Sequence, residues 1–469
     1  MTHARWVDTE KRTPSGLTYK SRLVLRGDRD IRTDLTTATG ACPHDSIRWA
    51  LQAAMSHPNY DPKNIRVIDA ENAYLQADLD QTDPVFIRPP IGHPDRGQFL
   101  WQALKAIYGL KDAGNAWHRF ATSKIKQLGY VICLDGVYIK YEKGVPSVLL
   151  VMYVDDFILI GYNGSIDNEE ALFRRELKLK PSEPLTRHVG VDYIVEKEKI
   201  VATQSNYAKQ LPKCSILSPQ QPLPNHVVDS EDVSDILSNP IAQKNYRSNL
   251  GALSYLAHTT RPDINFATTF LSKYNVKPTA RSRELLDNAL AYARATSASA
   301  ITLKRITSNN IRVQTYCDAS LGSHNNVYAN SGIIVLVNNT PIHWVCHKQP
   351  RVARSSTRAE LIALQEAVDY LLYIKPFLQI FWKNVQLEIY TDSNDTLSLI
   401  KSVNPKPTER SLTQQIRSLA DKTLVLPVAA LSENFTYDGI VLCKVHTSIN
   451  LADCLTKPMD VSPLRLLIK

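Results

Sequence analysis

The chain has 469 residues, 22% of them charged and 43% hydrophobic, and a formal net charge of +9 at pH 7. That length supplies cores for two or three domains, and the composition excludes a disordered, fibrous or collagen-like chain. Seven cysteines without a CxxC pair exclude a disulfide framework or a zinc knuckle as the organising principle and fit a reducing compartment. Met1–Gly16 is polar, which predicts no signal peptide, and no apolar run is long enough to span a bilayer, so a soluble chain is expected. A basic chain carrying acidic clusters fits a polyanion whose phosphates meet the carboxylates through metal. A solvated basic surface is the competing explanation of the charge.

In chain order, Arg22–Arg26 reads as a strand with cationic ends, Ile47–Ala54 as a helix, and Ile65–Asp69 as a strand ending on a carboxylate. Ala116–Leu128 has helical apolar spacing. The apolar run Val148–Ile160 is interrupted by Asp155 and Asp156, the pattern of a buried hairpin with both acids at its turn. Glu169–Leu179 is predicted as a helix with its charges on the outer face. Between about 212 and 240, Pro212, Pro219, Pro222, Pro224 and Pro240 flank an acidic patch at Asp229–Asp235. Proline removes donors and breaks periodic structure, so a linker or long surface loop is expected there. Helical patterning returns from Tyr246 to Ala300, punctuated by Pro262 and Pro278. A third unit begins near Ile311 with strands, then has a helix at Ala359–Lys375, a strand at Val385–Thr391 and a helix after Asp395. That alternation predicts a mixed α/β domain of roughly 150 residues.

Burying two like charges side by side, as at Asp155 and Asp156, is costly unless a cation neutralises them. Hard carboxylate oxygens suit Mg²⁺, which keeps some waters and takes substrate phosphates. Asp69 alone is an ordinary turn or cap residue. Beside Asp155 and Asp156 it completes a set that could hold two ions across an incoming triphosphate, one helping to deprotonate a primer 3′-hydroxyl and one stabilising pyrophosphate.

Lys20-Ser-Arg22-Leu-Val-Leu-Arg26-Gly27, Ile68-Asp69-Ala-Glu-Asn-Ala-Tyr74-Leu75, Val85-Phe-Ile-Arg88-Pro89-Pro90, Ile107-Tyr108-Gly109-Leu110-Lys111 and Tyr153-Val154-Asp155-Asp156 occur in that order. Together they resemble the reverse transcriptase of Ty1/copia (Pseudoviridae) retrotransposons. The resemblance implies a fingers–palm–thumb polymerase domain with Asp69, Asp155 and Asp156 as metal ligands. It also places Tyr74 under the incoming sugar, where its ring would collide with a ribose 2′-hydroxyl, and Lys20 and Arg22 at the triphosphate. Core packing of Tyr74 and a solvated strand face for the two cations are the competing explanations. Where the family has Gln, this chain has Asp112, an acceptor-only anion expected to weaken nucleotide binding beside phosphates. Arg5-Trp6-Val7 joins the family pattern partway into the fingers, as if the amino end were truncated.

A second acidic set lies in the last third. Asp318 and Asp392 each come after a strand-like segment, Glu360 opens a helix with capping-box spacing to Thr357, and Asp453 comes late. Each alone is more readily a cap or turn, but four converging acids could hold an Mg²⁺ pair for cutting a phosphodiester with water. Their order, with His347-Lys348-Gln349-Pro350 and Leu451-Ala-Asp453-Cys-Leu455-Thr456-Lys457-Pro458, resembles the ribonuclease H that comes after reverse transcriptase in the same elements. That resemblance implies Asp318, Glu360, Asp392 and Asp453 as the metal-binding set. His446 is a candidate for proton transfer or product release, against an ordinary surface histidine. Cys443 and His446 have loosely metal-like spacing, but two ligands do not make a zinc site.

The resemblance runs from about Arg5 to Pro458 and implies three regions: fingers and palm over 1–210, a Pro-rich linker with thumb and connection helices over 211–305, and a ribonuclease H-like mixed α/β domain over 306–469. The expected whole is α/β (α+β) in class, an RNA-directed DNA polymerase fused to ribonuclease H. Two Mg²⁺ ions per active site are expected, with Mn²⁺ as a substitute. Expected partners are an RNA template, a primer, deoxynucleoside triphosphates and an RNA–DNA hybrid held by shape and phosphate contacts. No membrane is expected; the element's capsid and integrase are further partners. The family works in cytoplasmic virus-like particles, with later nuclear delivery. Two alternatives stay open: a non-catalytic remnant that binds nucleic acid, and a ribonuclease H carrying an inactive polymerase. Oligomeric state is open as well.

Overall fold

Alternating and continuous apolar runs in the first part of the chain become antiparallel sheet. The computed structural model describes residues 1–13, 16–33, 35–162, 164, 166–214, 216, 219–225, 227, 236–322, 327–403 and 424–469. They form two compact units, one of Met1–Ala50 with Asn59–Leu185 and one of Leu51–Pro58 with Thr186–Lys469.

In the first unit, β1 (Thr2–Thr13) and β2 (Gly16–Leu25) form a hairpin, and the sheet continues from β1 through β4 (Phe86–Arg88) to β5 (Trp101–Gln102). A second sheet has the order β10-β3-β9-β8-β7-β6, built from β3 (Ile65–Asp69), β6 (Val131–Leu134), β7 (Val137–Glu142), β8 (Val145–Tyr153), β9 (Asp156–Gly161) and β10 (Glu183–Pro184). The expected hairpin is the β8–β9 pair. Val148, Leu149, Leu150 and Val151 are all buried, so both sheet faces are covered and the run reads as continuous rather than alternating. Helices Ala113–Gln127 and Ile166–Glu176 contribute Trp117, Ala121, Ile125 and Phe173 to a core with Ile68, Leu150, Met152 and Phe157.

The helix expected over Glu169–Leu179 instead spans Ile166–Glu176, and two of its charges point inward. Glu169 accepts from Tyr130 Oη (3.0 Å) and Lys140 Nζ (2.6 Å). Glu170 accepts from Arg66 (2.8 Å), Arg174 (2.6 Å) and Ser182 (2.6 Å). Periodicity misjudges such acids because the donors that make their burial tolerable come from other strands and loops.

In the second unit, β11 (Arg187–His188), β12 (Val191–Val195), β13 (Lys199–Thr203) and β14 (Ala300–Lys304) form a sheet in that order. β13 pairs with β14 from Lys199↔Lys304 to Thr203↔Ala300, which ties the segment beginning at Thr186 to the second unit rather than the first. The first compact unit ends at Leu185. Helices Pro240–Thr259, Asn265–Ser272 and Ala280–Ala295 accompany this sheet, the first capped by Asn239 with Pro240 in its first turn. Part of the expected linker is packed: Pro222 and Leu223 are buried, and Asn288 Nδ2 donates to the carbonyls of Gln221 (3.0 Å) and Pro222 (2.9 Å). The acidic patch Asp229–Asp235 lies outside the described residues.

The last sheet has the order β17-β16-β15-β18-β19, from β15 (Asn310–Ser320), β16 (Asn330–Val337), β17 (Thr340–Lys348), β18 (Asn384–Thr391) and β19 (Ile440–Lys444). β15, β16 and β17 are antiparallel neighbours, whereas β15–β18 and β18–β19 are parallel. This is the mixed α/β arrangement expected for the third unit. The parallel pairing has a consequence for function, because it sets the carboxyl ends of β15 and β18 side by side. No helix among the described residues is long and apolar enough to cross a membrane.

Candidate active sites

Antiparallel register places the first three acids at neighbouring positions, though it does not set one oxygen of each within 4.8 Å of the others. Asp69 at the end of β3 is the cross-strand partner of Asp156 at the start of β9, and Asp155 lies in the turn before it. Val154 in that turn has φ 54°, a left-handed conformation that a β-branched residue adopts only under constraint. The constraint is visible: Trp117 Nε1 donates to Val154 O (2.7 Å), and Ala70 N donates to Asp155 O (2.8 Å). Burial, foremost, raises the Asp155 carboxyl above its ordinary range. Asp156 is pushed up to about 6, first by burial and then by the charges of Asp155 and Asp69. Lys180 Nζ sits 2.8 Å from Asp69 Oδ1, and that hydrogen bond raises the ammonium. Lys180 carried no signal in the sequence; it reaches the site because Leu179 bridges to Ala70.

Beside these acids the Tyr74 ring lies 4.7 Å from that of Tyr108, and the Arg22 guanidinium lies 5.7 Å from the Tyr108 centroid. Burial and then the Asp155 charge raise the Tyr74 phenol. Tyr108 was not singled out by sequence, although it lies in one of the five family-like segments. The backbone beside it approaches β2 closely: Leu25 N donates to Tyr108 O (2.8 Å). A Cβ on Gly109, whose φ is +94°, would fall 2.1 Å from Leu25 O, so only glycine fits. Lys20 stays on the exposed face of β2.

Asp112 is not the bare anion expected. Arg32 grips it with two nitrogens, at 3.0 and 2.9 Å, and also binds Asp30 at 2.8 Å. Asp112 thus shares the single Arg32 charge with Asp30, a partner the sequence did not reveal. Arg32 and Asp112 side chains are only 13% and 19% exposed. Asp112→Gln is therefore expected to destabilise the chain by roughly 1–3 kcal/mol, because it breaks a charge-assisted pair. Urea unfolding of parent and variant measures this; equal midpoints would show that the pair adds nothing.

The second site forms where parallel strands end. Asp318 and Asp392 lie two residues beyond the paired Tyr316 and Tyr390, and a short 3-10 segment, Leu451–Leu455, brings Asp453 to them. One carboxylate oxygen from each of Asp318, Asp392 and Asp453 lies within 4.8 Å of the others. Among the described residues this is the only such set of three His, Cys, Asp or Glu, so Cys443 and His446 build no metal cluster. His446 Nδ1 instead accepts from Ser448 N (3.2 Å) at an exposed turn.

Glu360 lies outside that set of three but near enough to feel the charges of Asp318 and Asp392, and it is not part of a capping box. The helix Ser356–Phe381 is capped by Ser355, whose Oγ accepts from Arg358 N (3.2 Å), so Thr357 is already inside it. Glu360 is pushed up to about 9, first by burial and then by Asp318 and Asp392. Burial and then Asp318 raise Asp453. Thr456 Oγ1 donates to Asp318 Oδ2, and Lys457 Nζ lies 3.6 Å from Asp318 and 3.3 Å from Asp453. Neither Thr456 nor Lys457 was picked out by sequence, though both lie in the Leu451–Pro458 block. Buried Asp453 Oδ1 and Glu360 Oε2 have no hydrogen-bond partner. Hard, converging and partly orphaned oxygens of this kind fit a divalent cation such as Mg²⁺.

Residues 2–221 match the family described as reverse transcriptase (RNA-dependent DNA polymerase). The retrovirus-related Pol polyprotein from transposon RE1 of Arabidopsis thaliana is 30% identical over 373 residues, 76% of this chain and 24% of that protein. The corresponding polyprotein from transposon RE2 of the same plant is 28% identical over 474 residues, 97% of this chain and 31% of that protein. The chain thus spans 24% to 31% of the length of these relatives. A solved foamy viral protease-reverse transcriptase in complex with RNA/DNA hybrid is 12% identical with a TM-score of 0.47, covering 94% of this chain and 50% of that one. A likeness that slight carries no functional weight. The ordered segments and the sequence matches lead to one assignment: the chain belongs to the Pol polyproteins of Ty1/copia-type retrotransposons, with the reverse transcriptase region at residues 2–221.

Proposed function

We propose that this chain is an RNA-directed DNA polymerase joined to a ribonuclease H, which copies retrotransposon RNA into DNA and degrades the RNA of the hybrid. One observation carries the reading: the acids fall into two separate groups, one on the β8–β9 turn inside the region matching reverse transcriptase, the other where β15 and β18 end. Asp69, Asp155 and Asp156 would hold divalent cations in the first group, and Asp318, Glu360, Asp392 and Asp453 in the second. Bound Mg²⁺ or Mn²⁺, two ions per site, supplies Lewis acidity and neutralises charge on the reacting phosphate.

The chain's own residues do the rest. The turn, with Val154 at φ 54°, carries Asp155 between β8 and β9. Arg22, held over Tyr108, and exposed Lys20 meet the triphosphate. The Tyr74 ring, braced by Tyr108, excludes a ribose 2′-hydroxyl and selects deoxynucleotides. Partners are then an RNA template, a primer, deoxynucleoside triphosphates and the RNA–DNA hybrid, with the element's capsid and integrase as neighbours in cytoplasmic particles before nuclear delivery.

The test measures primer extension on an RNA template and cleavage of a labelled RNA–DNA hybrid by one preparation. Both activities are expected, and both vanish in EDTA. Cleavage without extension would reduce the chain to a nuclease with an inactive polymerase. Hybrid binding without either activity would make it a binding remnant.

A further inference from the structure

Lys457 lies one helical turn beyond Asp453, and its ammonium is 3.3 Å from Asp453 Oδ2 and 3.6 Å from Asp318 Oδ2. Its side chain is 42% exposed, whereas the Asp318 and Asp453 side chains are 3% and 5% exposed. The stem therefore reaches in from solvent to a buried edge, as long cationic side chains can. The backbone fixes the approach. Lys457 N donates to Asp453 O (3.2 Å), and the neighbouring Thr456 Oγ1 donates to Asp318 Oδ2 and to Asp453 O (3.2 Å). Among the described residues, no other cationic side chain lies within ion-pair distance of the carboxylates of Asp318, Asp392 or Asp453. On the far side, Asp453 Oδ1 is buried and without a hydrogen-bond partner, so Lys457 satisfies only one edge of the cluster.

We infer that Lys457 is a tethered counter-cation of the nuclease site, neutralising the Asp318–Asp453 edge when no ion is bound and competing with divalent cations for that edge. This rests on reading the acids as ion ligands. Its consequence is a site that stays folded without metal but binds metal less tightly than four acids alone would. Ion binding at this edge drives the Lys457 ammonium off the carboxylates, and its exposure leaves it a route to water.

Mn²⁺ binding to the full chain, monitored by electron paramagnetic resonance, tests this. Asp318→Asn first identifies which bound Mn²⁺ belongs to the nuclease site, since the polymerase acids are untouched. Lys457→Met should tighten that ion about five- to tenfold, the scale of one charge at a partly exposed edge. Lys457→Gln, which keeps a donor but loses the charge, should do the same, and Lys457→Arg should stay near the parent. In EDTA the Met and Gln variants should melt below the parent, and Mn²⁺ should restore them. Unchanged or weaker Mn²⁺ binding in both neutral variants overturns the counter-cation and leaves the nuclease reading standing, provided Asp318→Asn still removes an ion. If Asp318→Asn removes no ion in any background, both fall together.

Discussion

Asp155→Asn is expected to lower primer extension by at least about 1,000-fold while hybrid cleavage stays within about twofold of the parent. The substitution keeps the shape of the side chain and leaves the Asp155 carbonyl, which accepts from Ala70 N at 2.8 Å, in place. It removes only a charge that burial already disfavours and that Asp69 repels. Ion-free stability should therefore hold or rise, so lost activity cannot be attributed to unfolding. The acids proposed for cleavage, Asp318, Glu360, Asp392 and Asp453, all lie in the other compact unit, and no strand there pairs with β9. Parallel loss of both activities in a folded variant would refute the division into two sites.

The second large effect concerns stability. In EDTA the chain is expected to lose stability steadily as pH rises from about 5 to 9, by on the order of a few kcal/mol. Glu360 has an ordinary value of 4.5 and is pushed up to about 9. Between those limits the folded chain keeps a proton that the unfolded chain has released, so the folded state binds more protons and each increment of pH favours unfolding. Stability from this group is complete below its unfolded value and is lost as pH climbs through about 9. Asp156, raised to about 6, adds to the lower part of the same window. Glu360→Gln should melt above the parent in EDTA at pH 8 and converge with it near pH 5, and Mg²⁺ should flatten the parent profile. A flat profile in EDTA would show that Glu360 is not an uncompensated buried acid.

Much of the fold was legible because its signals are local. The helix at Ala113–Gln127, the strand Ile65–Asp69 and the hairpin around Asp155 arise from periodicity and from one interruption of an apolar run. Asp69, Asp318 and Asp392 at strand ends, Asp155 and Asp156 at the hairpin and Glu360 near a helix start stand out locally, whereas Asp453 was marked only by the family resemblance. Less legible was the helix Ile166–Glu176, where Glu169 and Glu170 look solvated in sequence but are buried. The same holds for the Pro-rich stretch, where Pro222 and Leu223 are packed rather than free. The capping-box reading of Glu360 failed because Ser355, two residues before Thr357, is the residue that caps the helix, and a Ser-Ser-Thr run alone does not show which hydroxyl does so.

The positions of most of these acids were thus written in the linear order of the chain, since strand ends and turns are set by near neighbours. How their charges are balanced was not. Lys180 on Asp69, Arg32 on Asp112 and Lys457 on Asp318 exist only once distant segments meet. Coulomb energy depends on separation through space and on burial, and neither quantity can be read from separation along the chain.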